Sequence, residues 1–233
     1  MGERPYTVLS CGVSLDGYLD SASEQRLLLS NDADFDRVDE VRSDSDAILV
    51  GAGTVRRDNP ALLVRSEHRR QRRIAKGLPA TPAKVTITAV GNLDPSSQFF
   101  ATGDCEKFVY CPTPAAEPAR ASLSRYATVV DSGPEVRMRH VSEDLHRRGI
   151  RRLMVEGGGI IHTQFLTDGL ADELQFVVAP LFVGDSRATR FVNDGDFPWC
   201  AERRATLVEA RPIGDVVLLR YALSERARAN ANC

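Results

Sequence analysis

The sequence predicts an α/β fold with a mostly parallel central sheet and an antiparallel hairpin towards the C-terminal end of the chain. Two observations carry this expectation. Strand-like runs alternate with helical periods through most of the 233 residues, the order in which parallel strands are connected and covered by helices. The last two runs, Ala205–Ala210 and Val216–Tyr221, are instead separated by Pro212 to Gly214, turn residues that join antiparallel neighbours. With no internal repeat and no low-complexity linker, a single domain over residues 1–226 is the simplest organisation, and 227–233 reads as a flexible tail.

The first strand, Tyr6–Val13, is a β-branched and apolar run closed by Ser14-Leu15-Asp16-Gly17, where Asp-Gly supplies turn chemistry. Asn31 or Asp32 caps a helix reaching about Ser43, because Phe35, Val38 and Val41 recur at helical spacing. Ala47–Val50 is a buried strand opening onto Gly51-Ala52-Gly53-Thr54, read as a glycine turn, and Ser66–Pro82 reads as loop. Val85–Val90, Lys107–Cys111 and Thr128–Asp131 follow as strands, with a short helix at Ala115–Arg125. Ser142–Arg148 forms a helix around Leu145 that stops at Gly149. Leu153–Val155 is a strand running into Glu156-Gly157-Gly158-Gly159 and a helix from Ile160 to about Thr167; Leu174–Ala179 is the strand before the hairpin.

Composition narrows the function classes. Thirty basic and thirty-two acidic side chains leave a formal charge of −2, so the whole-molecule field gives no reason to expect nucleic acid or an anionic membrane as partner. No apolar run approaches the roughly 20 residues of a membrane helix, and Met1–Pro5 leads straight into the first strand without a signal-peptide core, so the cytoplasm is expected. Cys11, Cys105, Cys111, Cys200 and Cys233 are scattered and never spaced as Cys-x-x-Cys, which argues for reduced thiols and against a zinc site.

Two glycine segments carry the local chemistry. Gly157-Gly158-Gly159 lies where a strand turns into a helix, so backbone N–H groups can approach a phosphate without Cβ obstruction and the helix N-terminus adds a favourable partial charge. Neither the G-x-G-x-x-G fingerprint nor a P-loop lysine is present, and a tight turn whose glycines serve packing alone fits the same residues. Gly51 to Arg65 places Thr54, Asp58 and Arg65 after a second glycine segment, either converging on one polar ligand or standing as a helix cap and two solvated charges.

In order and spacing, Ser14-Leu15-Asp16-Gly17, Ala47 to Val55, Asp58-Asn59-Pro60-Ala61-Leu62, Arg65, Val155 to Gly159, Leu170 to Leu174 and Ala179-Pro180 resemble the bacterial riboflavin-biosynthesis reductases over residues 6 to 221. The resemblance implies the three-layer α/β/α fold of dihydrofolate reductase and a homodimer. It also implies reduction by NADPH, or by NADH, at the ribose C1 of a 5-amino-6-ribosylamino-pyrimidinedione phosphate, opening the sugar to a ribityl chain. Gly53, Thr54, Asp58, Thr88 and Gly157-Gly158-Gly159-Ile160 then fall on the cofactor, and Tyr18, Ser30, Asn31, Arg42, Leu62 and Arg65 on the substrate. Arg42 and Arg65 are the expected phosphate clamps, because a guanidinium donates two parallel hydrogen bonds to a phosphate. Asp58 is the expected proton relay, and Glu156 the acceptor for the heterocycle's N–H edge.

Departures from the family pattern are informative. Tyr18 stands where such reductases commonly carry a lysine that touches the substrate phosphate, which implies a different or unphosphorylated substrate. The deaminase signature, His-x-Glu with a following Pro-Cys-x-x-Cys, is absent from the chain. Thr88-Ala89-Val90 stands where relatives often place Thr-Arg-Ser, whose arginine holds a 2′-phosphate, and this weakens the case for NADP over NAD. Reduction of dihydrofolate, a pterin or a specialised metabolite, and a nucleotide-binding partner without turnover, are the alternatives these departures leave open. The basic run His68 to Arg73 is read as a solvated helix or loop, the four histidines as structural or at the surface, with His162 closest to the glycine turn, and Trp199 as loop packing or a dimer contact.

Overall fold

The computed structural model describes residues 2–231 apart from 24 and 26. In chain order these form β1 (Tyr6–Ser14), α1 (Asp32–Ser43), β2 (Ala47–Gly51), α2 (Ala52–Asp58), α3 (Glu67–Ala75), β3 (Ala83–Ile87), α4 (Gln98–Ala101), β4 (Lys107–Cys111) and α5 (Thr113–Leu123). They continue as β5 (Thr128–Asp131), α6 (Met138–Arg147), β6 (Arg152–Gly157), α7 (Gly159–Thr167), β7 (Glu173–Ala179), β8 (Thr206–Ile213), β9 (Val216–Ala222) and α8 (Glu225–Ala231). The chain divides into two compact units, one formed by the segment up to Pro5 with Asp39–Met154, the other by Tyr6–Val38 with the chain from Val155 onward.

In the first unit the strands run parallel in the order β5-β4-β3-β2. All of β2 is buried, the condition under which a parallel strand reads as a continuous apolar run. Ile48, Val50, Val55, Leu62, Phe99, Val109 and Leu123 share one core cluster there. The helix α3 occupies a segment the sequence presents as loop. Its stability comes from ion pairs rather than an apolar stripe: Arg69 pairs with Asp39 and Glu40, and Arg72 with Glu40 and Asp44. Arg73, 3% exposed, donates to the carbonyls of Ser43, Ser45 and Pro79. Arg69 and Arg72 of the basic run thus have their charges paired within the fold.

In the second unit β1 and β7 pair in parallel, β7 and β9 antiparallel, and β9 and β8 antiparallel, in the order β1-β7-β9-β8. The expected hairpin is present with a later turn: Pro212 and Ile213 pair with Val217 and Val216, so the reversal falls at Gly214, φ 63°, and Asp215. Pro212 is tolerated because β8 lies at the end of that strand order, where a missing N–H breaks no ladder. Asn31 both caps α1, accepting from the Asp34 N–H at 2.9 Å, and donates to the Ile213 carbonyl at 2.6 Å and to Asp215 at 2.7 Å. The tail expected over 227–233 is helical as far as α8 extends, with Ala227 of that helix buried; residues 232 and 233 lie outside the described residues.

Glu173, buried on β7, accepts hydrogen bonds from Arg220 at 2.9 Å, Gln175 at 2.9 Å and Tyr6 at 3.1 Å. Burial alone raises a carboxyl, but these donors outweigh it and hold Glu173 below its ordinary value. Other boundaries moved for local reasons. The helix α6 begins at Met138, four residues before the expected Ser142, because Met138, Val141 and Leu145 already lie on one buried face. The short α4, absent from the sequence reading, buries Phe99 and Phe100.

The segment from Pro180 to Ala205 contains neither helix nor strand, yet it is tied down in the second unit. Asp16 accepts from the N–H groups of Val183 at 3.0 Å and Gly184 at 2.8 Å, and the Ser14 hydroxyl donates to it at 2.6 Å. Leu19 donates to the Thr189 carbonyl at 2.8 Å, Phe191 to the Gly17 carbonyl at 3.0 Å, and Asn193 to the Thr163 hydroxyl at 2.9 Å. Residues 183–193 therefore form a strap over the β1 exit loop and the start of α7.

Candidate active site

In the second unit the three glycines at the end of β6 have different physical reasons. Gly157 sits at φ 135°, a conformation that L side chains rarely adopt. Gly159 is the first residue of α7, and a Cβ there would overlap the Arg190 carbonyl oxygen of the strap. Gly158, joined to Gly157 by a cis peptide, caps α7 at φ −72° and ψ 179°. Packing thus explains one of the three, Gly159, and backbone conformation another, Gly157. No side chain caps the nine-residue α7, and Ile160 in its first turn is 67% exposed. An uncapped helix N-terminus bordered by glycine fits the diphosphate of a dinucleotide, whose oxygens accept from free N–H groups and meet the positive end of the helix dipole.

Beneath this corner lies His162, 0% exposed, on the first turns of α7. Its ring faces Phe191 at 5.3 Å, and neither ring nitrogen has a hydrogen-bond partner among the described residues. Burial pushes its pKa down to about 4, so the imidazole is neutral near pH 7. Glu156 precedes the corner on β6 and is half-buried. Ser30 is half-buried just before α1, with its hydroxyl near Gly12 on β1. Asn31 spends its amide on the hairpin turn, as described.

Tyr18 is 5% exposed, with its N–H on the Ser14 hydroxyl and its carbonyl accepting from the Ser14 N–H. The Arg190 guanidinium stands 5.2 Å from the centre of the Tyr18 ring, and Nη2 donates to Oη at 3.3 Å. Sequence reasoning did not single out Arg190. It sits in an irregular segment with no motif or periodicity, and no signal in the sequence marks it out.

In the first unit Gly51 caps α2, so the segment read as a glycine turn is already helix, with Gly53 and Thr54 in its first turn. A Cβ at Gly53 would meet nothing within 4 Å. Asp58 ends the same helix half-buried, and Asn59 follows at φ 44°. Leu62, at φ 48° and 2% exposed, points into the core cluster. Arg42 donates to the Leu63 carbonyl at 3.2 Å, and Arg65, 57% exposed, lies 3.9 Å from Asp39, which also accepts the Arg65 backbone N–H. Asp39, despite burial that raises it, is held below its ordinary value by those backbone donors and Arg69. Thr88, following β3, turns its hydroxyl to the N–H groups of Gly91 at 3.0 Å and Val90 at 3.4 Å, so it shapes the turn after the strand.

Known proteins resemble this chain over most of its length. The chain is 34% identical over 194 residues to the 2,5-diamino-6-ribosylamino-4(3H)-pyrimidinone 5′-phosphate reductase of Archaeoglobus fulgidus, spanning 83% of this chain and 88% of that protein. It is 31% identical over 223 residues to the reductase of the same name from Methanothermobacter thermautotrophicus, spanning 94% and 99%. Both relatives are archaeal, so the resemblance is broader than the bacterial enzymes to which the sequence reading confined it. The crystal structure of a pyrimidine reductase-like protein from Corynebacterium diphtheriae shares the fold, with a TM-score of 0.77 at 20% identity over 94% of this chain and 91% of that one. Residues 5–219 match the RibD C-terminal domain, and the chain belongs to that family.

Proposed function

We propose that the chain reduces 2,5-diamino-6-ribosylamino-4(3H)-pyrimidinone 5′-phosphate or a close analogue, with NADPH as the preferred reductant and NADH as the alternative. The observation that carries the reading is the likeness to two reductases so named over nearly their whole length. The relatives' substrate keeps an amino group at position 2, so on this reading no deamination precedes the reduction. Opening of the ribosylamine ring presents a C1=N bond; hydride adds to C1, a proton to the nitrogen, and a ribitylamine results. NADPH, when bound, supplies that hydride.

The chain's own residues then divide the work. In the second unit the α7 N-terminus, Gly157 to Ile160, takes the cofactor's diphosphate; in the first, the family resemblance assigns Gly53, Thr54 and Thr88 to cofactor. Asp58 holds or relays the proton, and Glu156 accepts from the pyrimidine N–H edge. Tyr18, Ser30, Asn31, Arg42, Leu62 and Arg65 are assigned to substrate, Asn31, Arg42 and Leu62 acting through the backbone and core contacts described above. The free thiols of Cys11, Cys105, Cys111 and Cys200 suit a reducing cytoplasm, and among the described residues no helix is long and apolar enough to cross a membrane.

Following absorbance of the reduced nicotinamide while offering the diamino substrate, its deaminated pyrimidinedione counterpart and dihydrofolate tests the assignment. The diamino compound is expected to give the highest kcat/KM. Preference for dihydrofolate, or no turnover of either pyrimidine, overturns it. The same reading has the protein as a homodimer, so sedimentation should give a mass near twice the 25.6 kDa of the chain; a monomer at assay concentration removes that part of it.

A further inference from the structure

We propose that Arg190 is a specificity-determining residue that recognises a phosphoryl group of a bound reactant, first of all the phosphate monoester of the substrate. The proposal rests on the reductase reading only for which reactant brings the phosphate.

Three observations carry it, all within the second unit. First, the guanidinium is held rather than free to wander: it lies over the buried Tyr18 ring at 5.2 Å and gives one nitrogen to the phenol oxygen. An aromatic face attracts a cation without neutralising it, so the charge stays available. Second, no carboxylate pairs with Arg190 among the described residues, although its neighbour Arg187 in the same strap is taken by Asp185 at 2.8 Å and 3.0 Å. Arg69, Arg72 and Arg220 are likewise paired. Third, the Arg190 backbone packs directly on Gly159, so the main chain that carries this side chain is fixed against the first residue of α7.

Nη2 carries two hydrogens and gives one to Tyr18, so one edge of the fork, Nη2 with either Nε or Nη1, keeps a pair of parallel N–H groups without a partner among the described residues. Two N–H groups from one planar guanidinium match two phosphate oxygens, a geometry a lysine ammonium does not reproduce. The strap that carries Arg190 is fixed to the β1 exit loop by the Leu19 and Phe191 backbone bonds, so little ordering remains to be done on binding.

The test uses the full chain with Arg190→Ala and Arg190→Lys, after thermal unfolding has shown each variant folded; Arg190→Gln, which keeps part of the stem, replaces the alanine variant should that one unfold. In Arg190→Ala the KM for the 5′-phosphorylated substrate is expected to rise by about tenfold to a hundredfold, the loss of charge-assisted hydrogen bonds, while kcat and the NADPH KM stay within about twofold. The dephosphorylated substrate should be turned over alike by wild type and variant, and Arg190→Lys should recover part of the loss. Calorimetry with ribose 5-phosphate and with inorganic pyrophosphate separates the two sources of phosphate. A weakened pyrophosphate affinity with a raised NADPH KM and an unmoved substrate KM assigns Arg190 to the cofactor and keeps its anion role. Unchanged KM values together with unchanged affinity for both anions overturn the proposal. Should the wild type oxidise no NADPH with any pyrimidine, the reductase reading fails, and the two anion titrations still decide for or against Arg190.

Discussion

Gly159→Ala is expected to lower the stability of the protein by about 3 kcal/mol, the upper range for forcing an extra carbon into a packed site. The added Cβ would overlap the Arg190 carbonyl oxygen, and that atom belongs to backbone rather than to the end of a flexible side chain. Relief requires the strap to lift, which strains the Leu19–Thr189 and Phe191–Gly17 backbone bonds and the bond between Asn193 and the Thr163 hydroxyl. Urea unfolding reads the effect as a lower midpoint at unchanged slope. Gly53→Ala is the matched control: it also lies in the first turn of a helix, but a Cβ there meets open space. That variant should gain about 0.5–1 kcal/mol from helix propensity and the reduced entropy of the unfolded chain. Equal effects from the two substitutions would mean that the strap does not press on α7.

His162→Leu is expected to remove most of the acid sensitivity that the wild type shows between pH 6.5 and pH 4. The folded imidazole has its pKa lowered to about 4 by burial, against roughly 6.5 in an unfolded chain. As pH falls below the unfolded value, the unfolded state takes up a proton that the folded state refuses. Stability therefore declines with falling pH across this window, by up to roughly 3 kcal/mol for about 2.5 pH units at 1.36 kcal/mol each. Leucine has a similar volume and no nitrogen to leave unpaired, so it suits the pocket beside Phe191. Denaturant unfolding of both proteins at pH 7 and pH 4 gives the comparison, with carboxylates such as Glu173 common to both. Parallel stability curves would show that the imidazole is not held neutral by the fold.

How far the sequence can be read depends on what holds each element. The strands β4 and β5 were placed to the residue, because Lys107–Cys111 and Thr128–Asp131 are compact β-branched and aromatic runs bounded by turn residues. Local chemistry offered Asn31 or Asp32 as the cap of α1, and the structure selects Asn31. By contrast α3 carries no apolar stripe, and Arg69, Arg72 and Arg73 become a helix face only through partners on α1 and in the turn that follows it. Leu62 and Thr88, which the resemblance assigns to ligand, also serve the core cluster and a turn. Tyr18, read in the sequence as the loss of a cation, bears the Arg190 guanidinium on its ring in the folded chain.

What the sequence determined by itself was the alternation of strands and helices, the C-terminal hairpin, the strand-to-helix glycine corner at Gly157–Gly159 and, through motifs in register, the family. Each of these is written in neighbouring residues, where periodicity, turn preference and backbone freedom act over a few positions. Tertiary structure alone decided that Gly159 makes room for the strap, that His162 is sealed from water, and that Arg190 has an aromatic platform and no carboxylate partner among the described residues. Those outcomes join residues some thirty to 170 positions apart, and burial and charge pairing are properties of the partners that folding brings together, which no local pattern encodes.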